Sequence, residues 1–305
     1  MKTTKWLLVL IGITLFAACG TPKTKKIGEN KGGKKELTEK QLKVTERPDS
    51  IKEKMKARGE QDQAQPELIV ESPKEGEVIN NSTVKIKVKI GGDLKGLKMG
   101  KDKAGTGNHV HVILDNQPYA AHYMWDKGFE LRNITDGKHT LRMFASRPWH
   151  ESYKNKKAFK TIKFTVKNGK ADETKPTTDA KGKKLADAKP EGADVKESKA
   201  GDVDFSKPLV TYSRPKGTYK GENGKTIMID FWLSNAKLIG DGGEFKIRYS
   251  VNGGEPKLIE KWAPIWLEGW KTGENSIKLE LVDKDGNLVE NGGYNSTARK
   301  IKVLE

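Results

Sequence analysis

The positions of hydrophobic and polar residues along the chain follow the two-residue period of β-strands. Alternation covers the segments 84–90, 108–115, 138–143, 161–166, 227–233, 245–252, 272–279 and 300–303. Alternate side chains of a strand point to opposite faces, so each segment has an apolar face and a polar face. Gly, Pro, Asn and Asp turns separate the segments, and helical periodicity is almost absent. The pattern predicts an all-β fold built from antiparallel sandwiches.

The segments form two series that follow one plan. The correspondences are 68–76 with 209–217, 84–90 with 227–233, 108–115 with 245–252, 136–143 with 272–279 and 161–166 with 300–303. A repeat of this kind indicates two copies of one domain. The copies are expected at 67–167 and 208–305.

The start of each copy and one later strand resemble known modules. Residues 72–76 read Ser-Pro-Lys-Glu-Gly, and residues 136–141 read Asp-Gly-Lys-His-Thr-Leu. Both are similar to features of bacterial Ig-like and fibronectin-III-like domains. The resemblance implies two antiparallel Ig-like β-sandwich domains, but it implies no activity, because such sandwiches carry many unrelated functions.

Two tracts lack this alternation. Residues 20–66 are rich in Lys, Glu, Gln and Gly and contain no aromatic residue, and residues 168–207 are rich in Lys, Ala, Asp, Glu, Gly, Thr and Pro. Such composition buries too little apolar surface to order a chain. The first tract is predicted to be a disordered charged tether, with a partial helix within 38–56 as the alternative. The second is predicted to be a flexible, low-complexity linker between the sandwiches.

The N-terminus has the pattern of an export signal. Lys2 and Lys5 precede a short apolar run, 6–16, and small residues stand before Cys19, the only cysteine of the chain. The run is short for a permanent membrane span. A signal peptide is therefore predicted over residues 1–19.

Residues 15–20, Leu-Phe-Ala-Ala-Cys-Gly, resemble the lipobox of bacterial lipoproteins, with Phe16 in place of the usual Leu. The resemblance implies that Cys19 is lipidated and anchors the protein to a membrane. A chance cysteine in an ordinary signal peptide is the alternative. Gly20 stands where enteric bacteria use Asp to retain lipoproteins at the inner membrane, which favours the outer membrane or the cell surface.

Charge and chemistry narrow the function. Lys and Arg number 58 against 41 Asp and Glu, so the net charge is +17, but both signs are interspersed along the chain and no nucleic-acid-binding motif is present. Nucleic acid is therefore not an expected partner. No nucleophile-elbow serine, phosphate loop or recognisable carboxylate pair occurs, so no enzyme is expected.

The strand at 108–114 carries the main candidate site. Its apolar residues point to one face, and His109 and His111 point to the other. In the second copy Lys246 and Arg248 occupy the positions of these two histidines, and such residues rarely lie unpaired inside a protein. The two histidines are therefore expected to point outward.

Two interpretations of this pair stay open. The histidines can be ordinary polar residues on a solvated sheet face. Alternatively, His109 and His111 bind one Zn or Cu ion, with His122 on the neighbouring strand as a third ligand. No other cofactor is expected. His139 aligns with Asn275 and is interpreted as structural.

A loop before the last strand of the first copy is a second candidate. Arg147, Trp149, His150 and Tyr153 gather there, and loops at the end of a sandwich often carry recognition. The alternative is that Trp149 covers the core.

The second copy carries a row of tryptophans at even spacing, Trp262, Trp266 and Trp270. An exposed aromatic row would stack on the sugar rings of a glycan or peptidoglycan, whereas a buried row would belong to the core. The chain as a whole is interpreted as an exported lipoprotein that displays two domains for binding or structural interaction. Metal binding and glycan binding are the two alternatives, and the envelope protein or glycan that it contacts is not identified.

Overall fold

The structure, a computed structural model, describes residues 42–103, 105–123, 127–169 and 202–305. The predicted signal peptide with Cys19, the first half of the predicted tether and residues 170–201 of the predicted linker lie outside these ranges. Within the described ranges no helix combines the length and hydropathy that crossing a membrane requires.

The chain is folded well before the first predicted domain. A short strand β1, Lys43–Thr45, precedes helix α1, Asp49–Arg58, and a 3-10 helix, Gly59–Gln63. Asp49 in the first turn of α1 and Lys56 and Arg58 in the last turn complement the helix dipole. We call residues 42–63 the N-terminal strap. The prediction that the tether continues to residue 66 is wrong, because the strap packs on both domains.

Residues 65–166 form the first sandwich. Its strands are β2 Gln65–Ser72, β3 Glu77–Ile79, β4 Val84–Asp93, β5 His109–Leu114, β6 Ala120–His122, β7 Phe129–Leu131, β8 Gly137–Ser146 and β9 Phe159–Val166. One sheet has the order β2-β4-β7 and the other β3-β9-β8-β5-β6. All pairs are antiparallel except β3 with β9. The core between the sheets includes Leu68, Val84, Ile86, Val110, Val112, Leu141, Met143 and Phe164.

The second sandwich repeats this plan. Its elements are β10 Leu209–Arg214, β11 Gly217–Lys220, α2 Glu222–Lys225, β12 Thr226–Ser234, β13 Lys246–Val251, β14 Lys257–Ile259, β15 Ile265–Glu268, β16 Gly273–Val282 and β17 Ser296–Leu304. The sheets have the orders β10-β12-β15, which β1 extends, and β11-β17-β16-β13-β14. Strand order therefore matches between the two copies. The predicted all-β fold of two Ig-like sandwiches is confirmed, and so is the predicted core face, since Val110 and Val112 match the buried Ile247 and Tyr249.

The two sandwiches pack against each other within one compact unit, Glu39–Glu305. The outer face of the five-stranded sheet of the first sandwich covers the outer face of β10 and β12. Trp232 of β12 stacks on Phe144 and Phe159, and Arg142 of β8 donates a 2.8 Å hydrogen bond to Thr211 Oγ1. We call this contact the interdomain face. It removes from solvent a sheet surface that a single sandwich would expose.

The same hydrogen-bonded motif occurs in both sandwiches, with different residues in each. In the first, Asp115 accepts hydrogen bonds from the Thr140 amide and His139 Nδ1, while His139 Nε2 lies 2.8 Å from the Thr135 carbonyl oxygen. In the second, Asn252 and Asn275 occupy the places of Asp115 and His139. The prediction that His139 is structural agrees with these contacts.

This pair gives the fold a pH dependence. Burial acts to lower the pKa of His139, but the hydrogen bonds to Asp115 and Thr135 and the charge of Asp115 outweigh burial, so its pKa is raised above 6.5. The charged pair therefore stabilises the fold fully below the pKa of an unfolded histidine, about 6.5, and less as pH rises through the higher folded pKa.

We expect the double variant Asp115→Asn with His139→Asn, which copies the second sandwich, to lose this pH dependence. The stability deficit of the variant should be larger at about pH 5.5 than at about pH 8.5. Urea unfolding at the two pH values measures it. An equal deficit at both values would show that the charge of His139 contributes nothing.

Candidate functional site

Strand β5 sends its two histidines to the interdomain face. His109 and His111 are both 0% exposed, so the prediction that they point to solvent is wrong. Their orientation relative to the core is as predicted, opposite Val110 and Val112. The prediction was wrong because strand β10 of the second sandwich covers this face of β5. Ser213 Oγ of β10 is 3.4 Å from His111 Nδ1.

His122 does not join this pair. In the ladder between β5 and β6, His122 is opposite Val110, whereas Ala121 is opposite His111. Opposed residues share a face, so His122 lies on the core side of the sheet. There its ring stacks on Phe129 at 3.6 Å, and burial lowers its pKa to about 4. The prediction of His122 as the third ligand is therefore corrected.

The third imidazole near the pair belongs to His150, in the loop between β8 and β9. His150 has a positive φ of 68°, a conformation that is uncommon for a residue with a side chain. Its amide donates a 2.9 Å hydrogen bond to the Arg147 carbonyl, which closes a tight turn. The turn directs the imidazole of His150 back over β5.

The rest of this loop is buried rather than displayed. Trp149 is 8% exposed and Tyr153 1%. Arg147 Nε donates to Asp62 of the strap at 2.8 Å, and Arg58 of the strap donates to Tyr153 Oη at 2.7 Å. The predicted recognition loop of Arg147, Trp149, His150 and Tyr153 is thus a packed junction between the first sandwich and the strap.

The predicted row of tryptophans is also not exposed on the surface. Trp270 lies in the core of the second sandwich, and Trp266, 7% exposed, packs with Trp149 and Ile51 of the strap. Trp262 is partly buried, with its ring edge against Trp232. Of the two interpretations of this row, the structure supports core packing.

Three imidazole nitrogens meet at the interdomain face. His109 Nε2 lies 2.9 Å from His111 Nε2 and 2.9 Å from His150 Nδ1, and His111 Nε2 lies 3.3 Å from His150 Nδ1. We call His109, His111 and His150 the histidine triad. Among the described residues these are the three that form a group with metal-ligand spacing. Ligand nitrogens around a tetrahedral zinc ion, each about 2.0–2.1 Å from the metal, are about 3.3–3.4 Å apart. The triad is close to that size.

The groups around the triad indicate which nitrogen of each imidazole carries the proton and which carries the lone pair. His109 Nδ1 lies 2.8 Å from the Gly107 carbonyl, which can only accept, so the proton of His109 is on Nδ1 and Nε2 carries a lone pair. A proton on His111 Nδ1 would likewise donate to Ser213 Oγ. Tyr119 Oη, 3.3 Å from His150 Nδ1, can donate to it. In this arrangement all three nitrogens at the centre carry lone pairs that a cation can accept. With the proton on His111 Nε2 instead, that nitrogen donates a hydrogen bond to His109 Nε2.

Burial keeps these imidazoles neutral. It lowers the pKa of His109 to about 4, and it lowers the pKa values of His111 and His150 well below 6.5. Nearby positive charges act in the same direction, from Arg214 on all three and from Lys216 on two of them. Neutral imidazole is the form that binds metal, so the triad is ready to do so at neutral pH.

Tyr119 lies beside the triad. Its ring stacks on His111 at 3.6 Å, and its hydroxyl accepts a 2.9 Å hydrogen bond from Arg214 Nη1 of the second sandwich. That bond leaves the hydroxyl proton of Tyr119 available for His150. The sequence patterns singled out neither Tyr119 nor Ser213 and Arg214. No pattern in the sequence could have identified these three residues, because their contacts at the site join one domain to the other.

Comparisons with known proteins add little. No protein-family model matches the chain, and no curated protein does. The fibronectin(III)-like modules of Clostridium thermocellum CbhA are 13% identical over 78% of this chain and 94% of theirs, with a TM-score of 0.24. SGBP-B of the Bacteroides ovatus mixed-linkage glucan utilization locus, solved in complex with a mixed-linkage heptasaccharide, is 14% identical over 77% of this chain and 47% of its own, with a TM-score of 0.21. The extracellular domain of a hybrid two-component system of B. thetaiotaomicron is 10% identical over 78% and 44%, with a TM-score of 0.23. Scores this low carry no argument about a ligand.

Proposed function

We propose that this chain is a non-enzymatic lipoprotein of the bacterial cell envelope that binds a transition-metal ion, Zn or Cu, at His109, His111 and His150. The observation that supports the proposal is the triangle of three neutral imidazole nitrogens 2.9–3.3 Å apart. The triad is held from both sides, by the Gly107 carbonyl on His109 and by Ser213 on His111. Such outer contacts orient the ligands of a metal site.

The ligand type limits the choice of ion. Imidazole suits Zn and Cu, whereas Mg and Ca prefer oxygen ligands. Three protein ligands leave a fourth position open, as in sites where zinc holds an exchangeable ligand. We therefore expect a site that both holds a metal and presents it to a further small ligand.

The location follows from the N-terminal signal. The apolar run and the lipobox-like residues 15–20 support export and lipidation at Cys19, which would anchor the protein to the outer membrane or the cell surface. The chain from Gly20 to Leu42 would then join the lipid to the strap. No observation favours a glycan ligand on the second sandwich, since Trp266 and Trp270 are buried.

Isothermal titration of the purified protein with Zn and with Cu tests the proposal. We expect one equivalent of metal to bind. Each of His109→Ala, His111→Ala and His150→Ala should weaken the affinity by about 100-fold or more, because each removes one of three ligands.

His122→Ala is the matched control. His122 is a partly buried histidine on the strand next to β5, but it faces the core, so this variant should keep the affinity of the original protein. Loss of binding in His122→Ala, or retained binding in the variant with all three triad substitutions, would contradict the assignment.

A further inference from the structure

A cation without a carboxylate partner lies beside the histidine triad. Arg214, at the end of β10, is partly buried. Its Nη1 donates to Tyr119 Oη at 2.9 Å and to the Lys216 carbonyl at 3.3 Å, and its guanidinium lies over the Tyr219 ring. Among the described residues it forms no ion pair with Asp or Glu. Burying a guanidinium in this way is unfavourable unless an anion accompanies it.

Arg214 is connected to the triad through the hydroxyl of Tyr119. Tyr119 Oη is hydrogen-bonded to Arg214 Nη1 and lies 3.3 Å from His150 Nδ1, so one hydroxyl separates the guanidinium from the ligand nitrogens. The ammonium of Lys216 lies 4.7 Å from the Tyr119 ring, and that of Lys101 lies 4.4 Å from the ring of Tyr123, which contacts His109. Two buried carboxylates are also near, Glu151 next to His150 and Asp230 opposite Arg214 in the β10–β12 ladder, and they are paired with Arg47 and Lys154. Arg214, Lys216 and Lys101 are the cations beside the triad.

A metal ion would add positive charge to this group. The triad itself is neutral and contains no carboxylate, so it would leave the charge of a divalent ion uncompensated. Like charges repel strongly in a buried site of low dielectric constant. A metal at the triad therefore needs an anion close by, and its fourth coordination position is open to one.

We propose that a small oxyanion from solution occupies the fourth position of the metal and contacts Arg214 in place of the Tyr119 hydroxyl, which lies between His150 and Arg214 in the structure. The planar guanidinium matches the paired oxygens of a carboxylate or an inorganic oxyanion. This inference rests on metal binding at the triad. It assigns separate tasks to the two sandwiches: the first supplies the metal ligands, and the second supplies the cation that selects the co-ligand.

Azide is a suitable probe, because it binds open positions of Cu(II) and produces a charge-transfer absorption band. We expect the Cu(II)-loaded protein to bind one azide per metal, and acetate or phosphate to displace it. In Arg214→Gln the affinities for azide and for the displacing oxyanion should fall by about tenfold or more, since a charge-assisted contact is lost. The affinity for Cu(II) in buffer without these anions should rise, because a like charge has been removed.

Two further variants separate this proposal from a structural role of Arg214. Arg214→Lys keeps the charge but loses the planar fork, so it should keep the metal affinity and bind acetate more weakly. Lys302→Gln removes an exposed charge from β17 and should change neither affinity. Competition by acetate but not phosphate would identify a carboxylate, and the reverse would identify an inorganic oxyanion.

The outcomes against the proposal are distinct from those against metal binding. Copper uptake without an azide band, or an azide affinity that is unchanged in Arg214→Gln, would overturn the oxyanion site and leave the metal site standing. Absence of copper and zinc uptake by the original protein would overturn both.

Discussion

Replacing Trp232 by alanine is expected to uncouple the two sandwiches. The original protein should unfold in one cooperative transition, because the interdomain face joins the domains into one unit. Trp232 is 2% exposed, and its ring lies parallel to Phe159 at 5.0 Å and near Phe144 at 6.1 Å, both in the first sandwich. Truncation of a buried tryptophan removes about 3–5 kcal/mol of stability.

We expect that loss to appear as two separate transitions in calorimetry or in denaturant unfolding. Leu258→Ala is the control, since Leu258 is 50% exposed on the outer strand β14 and its truncation should change stability by less than about 0.5 kcal/mol. A single transition in Trp232→Ala, with a loss as small as that of the control, would show that the face contributes little to stability.

Metal is expected to stabilise the fold strongly. A ligand that binds the native state alone adds about 4 kcal/mol when its free concentration is 1,000 times its Kd. At about 2–4 °C per kcal/mol for a protein of this size, that corresponds to a rise of roughly 8–16 °C in Tm. The physical reason is local: a cation between His109, His111 and His150 forms coordinate bonds to imidazole nitrogens that the fold already holds 2.9–3.3 Å apart. Thermal unfolding with increasing Zn measures the rise.

The variant set for this measurement distinguishes the triad from other histidines. His150→Ala should abolish the rise, although its own Tm without metal need not fall. His139→Asn, which alters a histidine outside the triad, should show the full rise. A full rise in His150→Ala would mean that metal binds elsewhere.

Strand-level features were predictable because they depend on local patterns. The alternation in β5 assigned Val110 and Val112 to the core, and alignment with Ile247 and Tyr249 made that assignment firm. The same alignment placed Lys246 and Arg248 at the histidine positions, from which exposure was inferred. The inference failed because equivalent positions in two copies share a backbone geometry but not a neighbour: Lys246 and Arg248 remain partly exposed, while β10 covers His109 and His111.

The identity of the third histidine of the triad was harder to predict. His122, on the neighbouring strand, would be the third ligand if the hairpin placed it opposite His109 or His111. The observed register instead pairs His122 with Val110. A shift of one residue moves a side chain to the other face of a sheet. His150 reaches the site through a tight turn far along the chain, and no spacing rule connects it to β5.

The sequence by itself determined the two copies of an Ig-like sandwich, the positions of their main strands along the chain, and the face of β5 that carries His109 and His111. Periodicity and turn residues are local properties, and they suffice for those features. Only the tertiary structure decided that the strap is folded, that the outer sheet faces are buried against each other, and that His150 completes the triad beside Arg214. Those features depend on contacts between residues distant in the chain, which the pattern within a single strand does not contain.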